Sequence, residues 1–291
     1  MEILIKDIPF NYEEYGKGKP VLCIHGYIAD HFLKEKEKRV FFAVLAFLVL
    51  CPNLKAQSVF TYDWKKDVVI GTLALGVFAS PFFVDNPPPQ LNDGLNINNI
   101  NGFDRMLMFS YNETLDKISD YGVYGMLLLP TLSVVGNFNA HTLLTYGIMY
   151  TEAFLLTYGT KDLLKNCINR FRPYMYEGGI PDGLESDFHN SFPSGSTSLA
   201  FLAATFLTTT FSMEYPESKW KLPIIIGSYT LAVSVATMRI TSGSHFMTDV
   251  LVGAAIGSFY GWVIPFLHQR QHNNNLAINF TGNGLLVSLK I

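Results

Sequence analysis

Residues Met247 to Leu267 read MTDVLVGAAIGSFYGWVIPFL, with Asp249 as the one charged side chain in the run. That length matches the roughly 17 to 25 apolar residues that a helix needs to cross a bilayer. Gly253-Ala254-Ala255-Ile256-Gly257 places small residues at helical spacing, which suits close contact with a second helix. Upstream lie five comparable stretches: Val68 to Val84, Tyr121 to Val135, Leu143 to Tyr158, Thr197 to Phe211 and Leu222 to Thr237. The pattern predicts an all-α membrane bundle of about six helices. The competing reading is a set of buried helices in a soluble all-α protein, because charges such as Glu152 interrupt the runs.

Composition agrees with membrane residence. Of 291 residues 49% are hydrophobic and only 15% charged, and the mean hydropathy is +0.21. A net charge of -3 leaves no basic face for nucleic acid. Cys23, Cys51 and Cys167 are too widely spaced for a zinc site and too few for a disulfide framework. Cys167 is expected to be a lone buried thiol.

Four segments follow from the pattern. Residues 1–33 form a β-rich leader in which Cys23-Ile24-His25-Gly26-Tyr27 resembles the opening of α/β-hydrolase proteins, although no G-x-S-x-G elbow follows. Residues 34–56 have the basic start, the apolar Val40 to Cys51 and the small Ala56 of an export signal. Residues 57–270 form the helical domain. Residues 271–291 form a tail with an expected β-hairpin turning at Asn283-Gly284. Helix parity matters here: with a cleaved signal and six crossings the motif-bearing face ends in the cytoplasm, so Val68 to Val84 is expected to pack or re-enter without crossing.

Three short stretches carry chemistry. In KNCINRFRP, Lys165 and Arg172 are seven apart, so both project from one face if the helix continues to the residue before Pro173. Lys161 and Arg170 are read as loop or interface charges. In FPSGSTS, Phe192 to Ser198, a turn enters a helix whose free N–H groups at Gly195 suit an anion, with the Ser194 hydroxyl as a further donor. A bare helix cap is the plainer reading of that segment. In RITSGSHFMTD, His245 and Asp249 are four apart, so a helix starting near His245 lets the carboxylate orient the imidazole and leaves one nitrogen as nucleophile. Arg239 adds a third cation. No carboxylate cluster suggests a metal or cofactor for the reaction.

Together these stretches resemble the signature of the type 2 phosphatidic acid phosphatase superfamily: K-x6-RP, then PSGH, then SR-x5-H-x3-D. The resemblance covers roughly Asp63 to Leu267, and Lys161 to Gly257 carries nearly all its specificity. It implies a helical phosphatase core with Lys165, Arg172, Ser194, Gly195 and Arg239 on the phosphate, His245 as nucleophile and Asp249 behind it. It also implies an amphiphilic phosphate or diphosphate substrate, membrane localisation of bacterial type and a site facing the exterior, with no cofactor. Two positions depart from the pattern. Met238 replaces the serine before the arginine. Ser196 replaces the second histidine, which in relatives protonates the leaving oxygen, and serine holds its proton too tightly for that task. Four readings of Ser196 stand: an engineered inactive form, a natural phosphate- or phospholipid-binding protein, an enzyme for a diphosphate with its better leaving group, or one using another acid such as His189. A vanadium haloperoxidase and an α/β-hydrolase are weaker alternatives.

Overall fold

The computed structural model describes residues 2–5, 8–11, 58–85, 87, 89, 95–134, 139–185, 187–270, 276–281 and 284–289. The chain divides into two units, Met1–Leu50 and Cys51–Ile291. In the first, β1 (Glu2–Ile5) pairs antiparallel with β2 (Ile8–Asn11), with Ile5 opposite Ile8. The hydrolase-like Cys23 to Tyr27 step and the signal-like run 34–56 fall outside the described residues.

The second unit holds α1 (Trp64–Ala79), α2 (Gly102–Met106), α3 (Glu113–Leu128), α4 (Ala140–Ile168), α5 (Gly195–Glu214), α6 (Lys221–Thr241) and α7 (Met247–His268). It ends in β3 (Leu276–Thr281) and β4 (Gly284–Leu289), antiparallel with Thr281 opposite Gly284, and residues 282 and 283 fall outside the described ones. Most long helices outrun their expected bounds because their ends are polar. Asp63, Asn112 and Asn139 each accept a backbone N–H of the first turn, so α1, α3 and α4 begin several residues before their apolar stretch. The short α2 sits in a segment read from the sequence as loop; Asn101 caps it by accepting from Asp104 N.

Residues 64–83, α6 and α7 are each long and apolar enough to cross a membrane. The first of these, expected to stop short of crossing, runs as α1 into a 3-10 turn at Ser80–Phe83 and has the necessary length. Its outer face exposes Val68, Val69, Leu73 and Leu75. α5 is the buried centre. One side of it packs with α1, α4 and α7 around Met149, Leu202, Phe206 and Ile264. The other side packs Ala200, Ala203 and Ala204 against Val123, Ala232 and Val235 of α3 and α6.

The small-residue stripe of α7 faces α5 as its spacing predicts. A Cβ at Gly253 would meet the Ser194 carbonyl, and one at Gly257 would collide with the Ser198 carbonyl. Backbone therefore lies on backbone along this seam, and the start of α5 is registered against the start of α7. Both flanks of the unit meet at the opposite end: Phe60 bridges Gln269, and Thr61 N donates to His268 O at 3.0 Å.

Candidate active site

The carboxyl end of α4, the start of α5, the end of α6 and the start of α7 converge with α3 on a cavity of about 260 Å³. Lys161, Lys165, Arg172, Gly195, Ser196, Arg239 and His245 line it, together with the acidic Asp120 and Asp187. Residues from all three sequence stretches thus meet in one place. The route by which they meet differs from the expected one in several respects.

Lys165 and Arg172 do not share a helix face. α4 ends at Ile168, and Asn169 takes a left-handed conformation (φ 49°) with its N–H on the Lys165 carbonyl. Proline at 173 disfavours helix in the residue before it, and Arg172 is extended, leading into a 3-10 turn at Pro173–Tyr176. The chain doubles back to bring Arg172 into the cavity. There Arg172 Nε donates to Asp187 O at 3.0 Å, Nη1 donates to Ser244 O at 3.0 Å, and Nη2 pairs with the Asp187 carboxylate. These bonds hold the guanidinium plane so that Nη1 lies 3.3 Å from His245 Nε2.

His245 also lies off the helix. α6 ends in a turn in which Gly243 (φ 69°) gives its N–H to Ile240 O, and a side chain there would collide with the Phe109 carbonyl. That turn delivers His245 just before α7, which starts at Met247. The spacing of four to Asp249 is consequently not a helical face. His245 Nδ1 lies 2.7 Å from the Ser191 carbonyl, whereas the Asp249 carboxylate is 3.8 Å away. A carbonyl only accepts, so Nδ1 carries the proton and Nε2 presents a lone pair to the cavity.

Asp249, expected to hold the imidazole directly, acts one step removed. Its carboxylate accepts from Phe246 N at 2.8 Å, from Ser191 Oγ at 2.5 Å and from Arg170 Nη1 at 2.6 Å. It anchors the residue whose carbonyl holds His245. Arg170, read from the sequence as a peripheral charge, is the hub of this support. It spans Asp249 and Asp104, donates to Thr248 Oγ1 and stacks 4.2 Å from the Phe246 ring centroid. The sequence signal was its place two residues before Arg172, yet its partner Asp104 lies 66 residues upstream.

Lys161 is likewise a correction. It is buried in the cavity wall, paired with Asp162 at 2.5 Å and set 3.6 Å from the Tyr158 ring centroid. A Cβ on Gly195 would come within 3.1 Å of its Cδ, so glycine there leaves room for this lysine beside the N-terminus of α5. Ser194 differs too. Its side chain is buried against Thr197, with the two hydroxyls 2.9 Å apart, and is absent from the cavity lining. Cys167, expected buried, is exposed. His189 is buried edge-on against Phe188 and does not line the cavity either.

Arg239 is nearly fully buried. Its Nη1 reaches Asp116 at 2.8 Å, Ser119 Oγ at 3.0 Å and Asp120 at 3.1 Å. Asp120 also accepts from Ser196 Oγ at 3.1 Å. None of these α3 residues was singled out in the sequence, because α3 carries no part of the three stretches. Burial, followed by the positive charges of Arg172, Arg239 and Lys165, holds His245 well below the ordinary histidine range. The imidazole is therefore neutral at pH 7, with the Nε2 lone pair facing the cavity.

A sequence profile of the PAP2 superfamily matches residues 146–273. A lipid A 1-phosphatase of Porphyromonas gingivalis is 33% identical over 116 residues, 38% of this chain and 24% of that protein. A PA-phosphatase related-family protein of Dictyostelium discoideum is 27% identical over 48% of this chain and 56% of its own. The chain thus spans about a quarter and about half of the lengths of these two relatives. Lipid phosphate phosphatase 1 of Arabidopsis thaliana is 30% identical over 249 residues, 76% of this chain and 70% of that protein. Among solved structures, a transmembrane PAP2 type phosphatidylglycerolphosphate phosphatase from Bacillus subtilis aligns with a TM-score of 0.43 and 22% identity, over 72% of this chain and 98% of that one. With its matched motifs and a relative of this extent, the chain belongs to the PAP2 superfamily.

Proposed function

We propose that this protein is a membrane phosphatase that hydrolyses a lipid-linked phosphomonoester or diphosphate through a phosphohistidine on His245. The observation that carries this reading is the neutral His245 Nε2, 3.3 Å from Arg172 Nη1 in a cavity shared with Lys161, Lys165 and Arg239. The relatives named for lipid phosphate substrates point to the same class.

In the first step the Nε2 lone pair attacks phosphorus and the bond to the leaving oxygen breaks. Arg172, Lys165 and Arg239 neutralise the equatorial oxygens as charge builds, and the N-terminus of α5 at Gly195 adds N–H donors. As Nε2 becomes positive, the Ser191 carbonyl keeps hold of Nδ1–H. In the second step water displaces the histidine from phosphorus, releasing inorganic phosphate and regenerating neutral His245.

The leaving oxygen takes its proton from water in the open cavity, because Ser196 holds its own proton too tightly and the Asp120 carboxylate beside it accepts from Ser196 Oγ and pairs with Arg239. In the second step the Asp120 carboxylate accepts the proton of the attacking water and returns it to the hydroxide left by the first step. Bond balance is then complete without a metal in the cycle.

The proposed site faces the exterior. Lys65, Lys66, Lys219, Lys221 and Arg270 flank α1, α6 and α7 at the end remote from the cavity, and an excess of Lys and Arg marks the cytoplasmic side. An exterior site then puts residues 60 and 269 inside.

The decisive measurement is inorganic phosphate release in detergent from phosphatidate and from a polyprenyl diphosphate, with His245→Ala as control. Turnover lost in His245→Ala supports the reading. Phosphate-dependent binding by the parent without release would favour the alternative, a non-catalytic phospholipid-binding protein, for which Ser196 is the motivating residue.

A further inference from the structure

At the opposite end of the helical domain three titratable side chains from three helices meet inside the protein. Asp67 lies in the first turn of α1, Glu152 in α4 and His268 at the last position of α7. Glu152 to Lys165 is 13 residues, or about 20 Å of helix. The cluster is therefore separate from the phosphatase cavity.

All three side chains are buried, with relative exposures of 7% for Asp67, 3% for Glu152 and 1% for His268. His268 Nε2 is 2.6 Å from Asp67 Oδ1 and 3.4 Å from Glu152 Oε2. His268 Nδ1 lies 2.9 Å from the Ile264 carbonyl, an obligate acceptor, so Nδ1 carries a proton. In the neutral ring Nε2 is then a bare lone pair facing two carboxylates. Something positive must lie among these atoms.

A proton on Nε2 serves only the Asp67 contact. Neither oxygen of Glu152 has a hydrogen-bond partner among the described residues, and a buried carboxylate in that state is costly. With both carboxylates ionised, one imidazolium leaves the group at a net charge of -1 among apolar helices, and a second proton placed on Glu152 would still find no hydrogen-bond acceptor among the described residues. A divalent cation brings two carboxylates and a neutral imidazole to zero and supplies Glu152 with its missing partner.

We infer that Asp67, Glu152 and His268 form a structural site for a divalent first-row transition ion that ties α1, α4 and α7 together at the end of the bundle remote from the phosphatase cavity. One imidazole and two carboxylates are the donor set of zinc or manganese. Their ligand atoms all lie within 4.8 Å of one another. An ion about 2.0 to 2.2 Å from each needs donor separations near 3.3 Å, which the Glu152 contact already meets and the Asp67 contact meets by opening slightly. Outer contacts are in place as well: Ile264 O fixes the tautomer of His268, and Asp67 Oδ2 accepts from Asp63 N at 2.8 Å.

The test uses the full chain, purified in detergent without a histidine tag, stripped with chelator and reloaded with zinc alone. Mass spectrometry of the metal is expected to find about one zinc per parent chain, and background levels in Glu152→Gln and His268→Gln. Zinc should raise the thermal midpoint of the parent by roughly 5 °C and leave that of Glu152→Gln unmoved. If neither variant folds, the parent's stoichiometry and its chelator-sensitive midpoint decide alone. Absence of zinc in the reloaded parent, or retention of the full equivalent in both variants, overturns the proposal and leaves a proton-bridged cluster. Phosphate release is scored separately, so failure of the phosphatase reading would leave this result intact.

Discussion

Ser196 Oγ donates to Asp120 Oδ1 at 3.1 Å, which joins the start of α5 to α3 at the mouth of the cavity. The residue standing where relatives keep a histidine is thereby linked to a carboxyl that none of the three sequence stretches contains. On the proposed mechanism, Asp120→Asn lowers kcat with phosphatidate by roughly two orders of magnitude. The loss is similar with a diphosphate, because both substrates pass through the same phosphohistidine. Ser196→His raises the rate with phosphatidate more than with a diphosphate, whose leaving group needs less help. An unchanged kcat in Asp120→Asn would remove Asp120 from the base role.

His245 is predicted to stay neutral at pH 6, where an unperturbed histidine is largely protonated, because burial and three cations oppose a further charge. The sign for stability follows: as pH falls through about 6.5 the unfolded chain binds a proton that the folded one refuses, so this group costs stability toward acid. Imidazole NMR of selectively labelled protein checks the protonation state. Arg239→Leu removes one of the cations and should move the titration back toward the ordinary value.

Arg170→Met leaves the buried carboxylates of Asp104 and Asp249 without their shared cation. The expected cost is about 3 kcal/mol of stability, read by denaturant unfolding in mild detergent. Catalysis should fall as well, since Asp249 holds Ser191 and Ser191 holds His245. Arg170→Lys recovers only part of either, for lack of a guanidinium fork.

Gly257→Ala places a methyl group against the Ser198 carbonyl on the α5–α7 seam. Parting the two helices is predicted to cost about 2 kcal/mol. Gly125→Ala, where nothing lies within 4 Å of the added carbon, should be close to neutral and serves as the control.

Cys167 is exposed near the end of α4, on the side of the cavity. In a Cys23→Ser, Cys51→Ser background, a membrane-impermeant maleimide added to intact cells should label it. Labelling that requires broken cells would place the site in the cytoplasm.

The approximate positions of the long helices were legible from apolar run lengths, and the α5–α7 seam from Gly253 and Gly257. The chemical inventory was legible too, because Lys165, Arg172, Gly195, Arg239 and His245 lie in three compact stretches and all reach one cavity. What sequence spacing misjudged is how they arrive. Asn169 and Pro173 end α4 before Arg172, Gly243 turns the chain before His245, and short-range spacing cannot register such reversals. Ser194 turned inward because Thr197, one helical turn on, offered its hydroxyl a buried partner.

Tertiary structure alone decided which distant groups complete the site. Asp104, Asp116, Asp120 and Ser191 bring no pattern of their own; they matter because burial forces Arg170, Arg239 and His245 to find partners wherever the fold supplies them. The same physics assembled Asp67, Glu152 and His268. Read along the chain, Glu152 was only a polar interruption and His268 an unremarked histidine. They became a cluster when three helices closed around them and excluded water, so that each charge had to be answered by another.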